Sequence, residues 1–174
     1  MLDLAVLGLL RRGPRHGYDV KRQLAELGFG SVSFGALYPA LRRLEKKGWI
    51  EALRPTSRRK AYQLTGSGHD ALNGLLVDET DEPDDQRRFA MRLAFFEFIP
   101  LERRLAILKR RRSQLMEMLG EASQALRRIS TTDMDPYTVA LVRHNVGTVE
   151  ADIAWLDELI AMARTDTRNR RHQP

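Results

Sequence analysis

The stretch from Ser33 to Ile50, SFGALYPALRRLEKKGWI, constrains the fold more than any other part of the chain. At 100° per residue, its apolar side chains fall within about 40° of one line along a helix; they are Leu37, Ala40, Leu41 and Leu44. Ser33 suits the N-cap position, because its hydroxyl can accept a hydrogen bond from a free backbone amide of the first turn. Gly48 suits the position after the last turn, where a glycine in the left-handed backbone conformation ends many helices. The stretch therefore predicts a helix with one buried side.

The opposite side of this helix is basic, and small or stiff residues accompany the cations: Gly35, Pro39, Arg42, Arg43 and Lys46. Such a surface fits the DNA major groove. Pro39 has no amide hydrogen and crowds the carbonyl of Gly35. A residue that breaks a helix rule often marks function. The other interpretation is that Pro39 simply lies in the first turns, where few hydrogen bonds are lost.

Two shorter segments before Ser33 complete a recognisable plan. Leu2 to Leu10 predicts a short, nearly buried helix, which Arg11-Arg12-Gly13-Pro14 ends. His16 to Leu27 predicts a second helix, with Tyr18 or Val20 on its apolar side together with Leu24 and Leu27. A helix joined by a brief glycine-bearing link to a second, basic helix is the helix-turn-helix plan.

After Gly48 the period shortens to about 2, which predicts a β-hairpin. Its strands are Trp49–Leu53 and Lys60–Leu64, and residues 54–59 form a basic tip. A hairpin in this place is a wing, and Arg54, Arg58, Arg59 and Lys60 are placed to contact phosphates. The alternative is a solvated turn with incidental charge. Residues 1–77 hold 13 basic and 6 acidic residues, a net charge of +7, which fits a polyanionic partner.

The predicted fold is mainly α, with an N-terminal winged helix-turn-helix carrying a two-stranded wing, and a C-terminal antiparallel helical dimerisation domain. Thr65 caps a helix to about Val77, and the acidic run DETDEPDD, Asp78 to Asp85, interrupts the chain. We place the winged-helix domain at 1–78, an acidic linker at 79–85, the helical domain at 86–164 and a disordered tail at 165–174.

The C-terminal half predicts long helices that need partners. Gln86 to Ile99 is rich in aromatic rings, and Leu101–Ile129 should pair antiparallel with a helix that Pro136 opens. That last helix carries an apolar row which one partner cannot cover: Leu141, Trp155, Leu159 and Met162. A second copy of the chain is the economical cover, hence a homodimer. The rings of Phe95, Phe98 and Trp155 predict either a site for a small hydrophobic or aromatic ligand or plain core packing.

Several function classes find no support in the residues. The chain has no cysteine, which excludes disulfides, thiolate zinc sites and a cysteine nucleophile. Its four histidines, His16, His69, His144 and His172, lack metal-ligand spacing. We expect no metal, no cofactor and no catalysis. The apolar runs are too short to cross a membrane and no signal sequence is evident, so a cytoplasmic location is expected.

The run Leu37-Tyr38-Pro39-Ala40-Leu41-Arg42-Arg43-Leu44-Glu45-Lys46-Lys47-Gly48-Trp49-Ile50 resembles the recognition-helix signature of PadR-type transcriptional regulators. Leu7-Gly8-Leu9-Leu10 and His16-Gly17-Tyr18 resemble the first two helices of that family, and Tyr62-Gln63-Leu64-Thr65 resembles the end of its wing. The resemblance implies a dimeric winged-helix repressor, often relieved by a small molecule. It places Tyr38, Arg42 and Arg43 in or beside the groove, whereas the wing tip departs from the glycine-rich turn of many members.

Two functions compete on this evidence. The leading hypothesis is a sequence-specific regulator that binds double-stranded operator DNA as a dimer, with Ser33, Gly35, Tyr38, Pro39, Arg42, Arg43, Lys46, Arg58, Arg59 and Lys60 as contacts. The alternative is a winged-helix adaptor that binds protein without DNA. The basic side of the Ser33 helix favours DNA, because an adaptor surface tends to be apolar at its centre.

Overall fold

The structure is a computed structural model that describes residues 1–53, 60–78, 86–130 and 134–170. The chain divides into two compact units, Met1–Ile99 and Pro100–Pro174. No helix among the described residues is long and apolar enough to cross a membrane. The predicted wing-tip residues Arg54, Arg58 and Arg59 and the predicted linker 79–85 lie outside the described residues.

The described part of the first unit contains a winged helix of four helices and three strands. They are α1 (Leu2–Arg11), β1 (Arg15–His16), α2 (Gly17–Glu26), α3 (Phe34–Lys46), β2 (Ile50–Ala52), β3 (Ala61–Leu64) and α4 (Gly66–Val77). The predicted helices are all present, which confirms the mainly α winged-helix fold. α1 forms the centre of this unit, because every residue from Leu4 to Leu10 is buried and α2, α3, α4 and β3 all pack on it.

The small sheet has one more strand than the sequence predicts. β2 and β3 pair antiparallel with Ile50 opposite Leu64, as the hairpin pattern requires. β3 also pairs antiparallel with β1, where Arg15 lies opposite Tyr62, so the strand order is β1-β3-β2. A two-residue strand shows no period in the sequence, which explains why it was missed. The extra pairing ties the base of the wing to the start of α2.

The boundary of the first unit differs from the predicted end at residue 78. Beyond the acidic run, α5 (Gln86–Leu93) and a short 3-10 turn (Phe96–Phe98) belong to the same unit as α1. Phe95 is fully buried, and its ring lies against Gly8 of α1, where a Cβ would approach to 2.6 Å. The guanidinium of Arg12 donates to the carboxylate of Glu97 over 2.7 Å and to the carbonyl of Ala94 over 3.0 Å.

The segment 86–99, which is rich in aromatic rings, is not one continuous helix. The helix ends at Leu93 and the backbone changes course, so that Phe95, Phe96 and Ile99 are all buried. The first unit therefore includes described residues on both sides of the acidic run.

The second unit is a helical hairpin of α6 (Leu101–Ser130) and α7 (Pro136–Arg170). The carboxylate of Asp135 accepts a hydrogen bond from the backbone amide of Thr138 at the start of α7. The connecting segment is short, so the helices run antiparallel, and Arg112 of α6 donates to Asp157 of α7 over 2.7 Å. The buried side chains among the described residues of the hairpin are Leu108, Arg111, Leu115, Val146, Ile153, Leu156 and Ile160.

The end of the chain differs from the predicted disordered tail at 165–174. α7 continues to Arg170, six residues beyond the predicted end of the helical domain at 164. Residues 165–170 contain neither proline nor glycine to stop a helix already under way. Residues 171–174 lie outside the described part of the chain.

Candidate nucleic-acid interface

The candidate interface is organised by α3, whose inner side fixes it to the first unit. Leu37, Ala40, Leu41 and Leu44 are all buried, as the apolar stripe predicts. The hydroxyl of Ser33 accepts the amide of Ala36 over 3.2 Å, and Gly48 adopts a φ of +70° after the helix. The predicted N-cap and left-handed stop are thus confirmed, and α3 is held at both ends.

The outer side of α3 presents the predicted contact residues to solvent. Ser33, Gly35, Tyr38, Pro39, Arg42, Arg43 and Lys46 are all exposed. Pro39 is the sixth residue of the helix, so it lies in the second turn and its missing amide costs one interior hydrogen bond. Gly35 and Ala36 have small side chains, so the rings of Phe34 and Tyr38 are the bulky groups at the beginning of α3.

The two neighbouring arginines of α3 have different surroundings. Arg43 forms an ion pair with Asp3 of α1, and Lys47 reaches the same carboxylate at 3.9 Å. Arg42 and Lys46 form no ion pair with any residue that the structure describes in the first unit. Arg43 would have to leave Asp3 to contact a phosphate or a base, whereas Arg42 is available without rearrangement.

A groove of about 900 Å³ lies beside the outer side of α3 and links it to the base of the wing. Its walls include Tyr18 from the start of α2, Tyr38 and Arg42 from α3, and Lys60 and Tyr62 from the wing. Three of the predicted DNA contacts, Tyr38, Arg42 and Lys60, therefore line one concave surface. Arg43 and Lys46 lie outside its walls.

The groove also contains residues that the sequence interpretation missed, and Tyr18 is the clearest case. Tyr18 and Val20 were alternatives for the apolar side of α2. The structure buries Val20 completely and leaves Tyr18 54% exposed. A tyrosine with one polar end satisfies either environment, so spacing alone does not separate the two positions.

Aromatic contacts fix the entrance of the groove. The rings of Phe34 and Tyr38 stack with centroids 5.8 Å apart and planes 24° apart. The ammonium of Lys21 lies 4.1 Å from the centroid of the Phe34 ring. The Tyr38 ring also lies beside Gly17 of α2, at 3.4 Å from where a Cβ would stand. The exposed rings are thus held by defined neighbours.

The floor of the groove combines charges of both signs. Burial raises the pKa of the Tyr62 hydroxyl, and the nearby carboxylate of Glu45 raises it further, while Arg42 acts in the opposite direction. Glu45 is a groove residue that the sequence interpretation did not select. Its position three residues after Arg42 places it on the same side of α3, which was a usable signal.

The residues predicted for dimerisation and for a ligand lie elsewhere. On α7, Leu141 is 59% and Met162 is 64% exposed, while Trp155 and Leu159 are half-buried. Phe95 is fully buried in the first unit, and its ring centroid lies 6.5 Å from that of Phe98. Trp155 belongs to the second unit. The predicted grouping of Phe95, Phe98 and Trp155 stays a prediction.

The described residues contain no group of three or more His, Asp or Glu side chains that is placed to hold a metal ion. The concave surface beside α3 carries exposed cations and aromatic rings, which are the side chains that contact phosphates and bases.

Comparison with known proteins identifies the family. Residues 6–74 match the model of the Transcriptional regulator PadR-like family. The chain is 30% identical over 187 residues to the Negative transcriptional regulator PadR of Bacillus subtilis, an alignment that covers 95% of this chain and 99% of that protein. The chain belongs to the PadR-like family. The resemblance noted in the sequence is confirmed, and PadR-like proteins are transcriptional regulators.

Solved structures of PadR proteins are also similar. Bacillus subtilis PadR in complex with operator DNA matches at 23% identity and a TM-score of 0.43, covering 93% of this chain and 98% of that chain. The same protein in complex with p-coumaric acid matches at 23% identity and a TM-score of 0.43, covering 94% and 98%. The PadR-like regulator BC1756 from Bacillus cereus matches at 18% identity and a TM-score of 0.44.

Proposed function

We propose that this PadR-like protein is a dimeric repressor that recognises operator DNA through α3. The observation that carries the proposal is the position of Arg42, exposed and without an ion pair among the described residues, on a concave surface that also holds Tyr38 and Lys60. An unpaired guanidinium is the commonest reader of guanine in the major groove. Repression as the outcome is supported by the similarity to Bacillus subtilis PadR, which is a negative transcriptional regulator.

The contacts divide into two kinds with different consequences. Arg42 and Tyr38 lie on α3 and are assigned to base edges. Lys60, at the base of the wing, and the wing-tip residues Arg58 and Arg59 are assigned to phosphates, which position the protein without reading sequence. Ser33, Gly35, Pro39 and Lys46 form the surrounding contact surface. Arg43 has a supporting part, because Asp3 already neutralises its charge.

The proposed dimer uses the exposed apolar row on α7. Leu141 and Met162 are more than half exposed in the single chain, and large apolar side chains at helical spacing favour burial against a second copy. A two-fold axis through such an interface presents two α3 helices to the DNA. Half-sites should then lie about 10 bp apart, or a multiple of that distance.

The proposal is tested with duplexes that the full-length protein selects from a random-sequence pool. Replacing Arg42 by Ala should remove about 1–3 kcal/mol of discrimination at one base pair of each half-site. Replacing Lys60 by Ala should weaken binding to all sequences equally and lower the salt dependence by about one ion per protomer. Arg143→Ala, an exposed arginine on α7, is the matched control and should change neither quantity.

Three results would contradict parts of the proposal. If the full-length protein enriches no sequence from the pool, the proposed DNA recognition is wrong. The alternative, a winged-helix adaptor that binds protein, would then be favoured. Equal losses of specific and non-specific affinity in Arg42→Ala and Lys60→Ala would show that α3 does not read bases. If light scattering finds a monomer at micromolar concentration, with or without DNA, the proposed homodimer is wrong.

The proposed effector is a small aromatic molecule. p-Coumaric acid is the first compound to test, because Bacillus subtilis PadR is described in complex with it. Phe95 has no exposed surface in this conformation, so a ligand at this ring requires a rearrangement around it. Release of the selected duplex by p-coumaric acid, measured by fluorescence anisotropy, supports an effector of this class; unchanged binding at millimolar concentration contradicts it for this compound.

A further inference from the structure

The first residue of α3 is a large apolar side chain in an unusual place. Phe34 is 41% exposed, whereas the inner residues of the same helix are buried. Its neighbours Ser33, Gly35 and Ala36 are small and exposed. The ring therefore protrudes from a slim helix end, on the wall of the groove that contains Tyr38 and Arg42.

Contacts on the protein side hold the Phe34 ring in a defined orientation. Tyr38, one helical turn later, stacks against it with centroids 5.8 Å apart, and the Lys21 ammonium from α2 lies 4.1 Å from its centroid. Because these neighbours restrict the rotation of the side chain, less entropy is lost when a ligand covers its exposed part. The ring is a preformed apolar surface among polar and charged groups.

The edges of the base pairs in the major groove offer one apolar group that matches this surface. Hydrogen-bond donors and acceptors occupy all other positions there, and thymine adds a C5-methyl group that contacts apolar side chains such as phenylalanine. We propose that Phe34 reads the C5-methyl group of one thymine in each half-site. This inference rests on the proposed recognition of DNA by α3 and names one base that the recognition requires.

The proposed contact explains two features together. The described part of the chain leaves 41% of Phe34 exposed, and covering a methyl group with this exposed part removes apolar surface of both partners from water. Arg42 lies two turns further along the same helix, on the wall of the same groove. A guanine read by Arg42 and a thymine read by Phe34 would thus lie in one half-site, a few base pairs apart.

The test changes one methyl group at a time. The probe is the duplex that the full-length protein selects from a random pool, with each thymine replaced singly by deoxyuridine, which lacks only the C5-methyl group. At one thymine per half-site the dissociation constant should rise about fourfold, and about fifteenfold when both half-sites are changed, as expected for losing one buried methyl contact at each site. The other thymines should tolerate the replacement.

Variants of the chain show which residue is responsible. In Phe34→Ala the penalty for deoxyuridine should disappear, while the base preference that Arg42 contributes persists. Phe34→Leu, which keeps an apolar side chain and is the safer variant for folding, should retain a reduced penalty. Tyr137→Ala removes a ring that is 85% exposed on α7, and this matched control should keep the full penalty.

The outcomes separate this inference from the proposed function. If the wild-type protein selects a sequence but tolerates deoxyuridine at every thymine, the reading of a methyl group is wrong and DNA recognition stands. The same holds if Phe34→Ala and Phe34→Leu both keep the full fourfold penalty. If the wild-type protein selects no sequence, both the proposed function and this inference fail.

Discussion

Replacing Gly8 by Ala should destabilise the first unit, although alanine is the better helix former. Gly8 lies in the middle of α1, and an added Cβ would lie 2.6 Å from Cδ1 and 2.7 Å from Cε1 of Phe95. Phe95 has no exposed surface, so its ring cannot move into solvent. Overpacking of this severity costs about 2–3 kcal/mol, and the helix propensity of alanine offsets about 1 kcal/mol of it. The expected net loss is about 1–2 kcal/mol.

The assay is urea unfolding followed by the fluorescence of Trp49, with Trp155→Phe as the common background so that only the first unit is reported. Gly74→Ala in α4 is the matched control, because nothing lies within 4 Å of its added Cβ. That variant should gain about 0.5–1 kcal/mol. In a Phe95→Leu background, Gly8→Ala should cost at least about 1 kcal/mol less than in the presence of Phe95. If Gly8→Ala stabilises the protein as Gly74→Ala does, the proposed packing of Phe95 on α1 is wrong.

Three further predictions concern other contacts. Gly68→Ala should destabilise the first unit by more than about 3 kcal/mol in the same assay, because the added Cβ would lie 1.9 Å from the carbonyl oxygen of Trp49, a backbone atom. Asp3→Asn should release Arg43, and we expect tighter non-specific DNA binding with a steeper salt dependence; an unchanged slope would show that Arg43 stays away from DNA. A hydrogen bond from Arg112 lowers the pKa of the Asp157 carboxyl below its ordinary value. This pair therefore stabilises the folded state above the ordinary pKa, and its contribution is lost as the pH falls through the lowered pKa. Asp157→Asn should reduce this loss of stability in acid, as measured by thermal melts followed by circular dichroism.

Local patterns predicted much of the fold because their causes are local. The stripe of Leu37, Leu41 and Leu44, the Ser33 cap and the Gly48 stop each depend on residues within one or two helical turns, and all three are confirmed. The same holds for the two strands of the hairpin, which the alternation of residues predicts. The candidate groove was predicted in part, since Tyr38, Arg42 and Lys60 all lie on its walls.

The first unit extends to Ile99, beyond the predicted end of the winged-helix domain at residue 78, and the contact that extends it is not local. Composition changes sharply at the acidic run, and a change of this kind often marks a linker. The decisive contact is instead between Gly8 and Phe95, 87 positions apart. Neither residue alone is informative, because glycine in a helix and phenylalanine in a helical stripe are both common. A DNA-binding fragment cut at residue 78 would leave the side of α1 around Gly8 uncovered, so the fragment to prepare ends after Ile99.

The two arginines of α3 show how such distant contacts determine function as well as stability. Arg42 and Arg43 are adjacent, equally charged and exposed, and no property of the Ser33 stretch separates them. The difference between them comes from Asp3, 40 positions before Arg43. Its carboxylate forms an ion pair with Arg43, whereas Arg42 lines the groove. If DNA approaches α3, the Arg42 guanidinium, which forms no ion pair with a described residue, can meet a base without breaking one, whereas recruiting Arg43 leaves a carboxylate near the phosphates. Specific contacts should therefore concentrate on the line from Phe34 through Tyr38 to Arg42, and Arg43 should contribute mainly by holding α3 against α1.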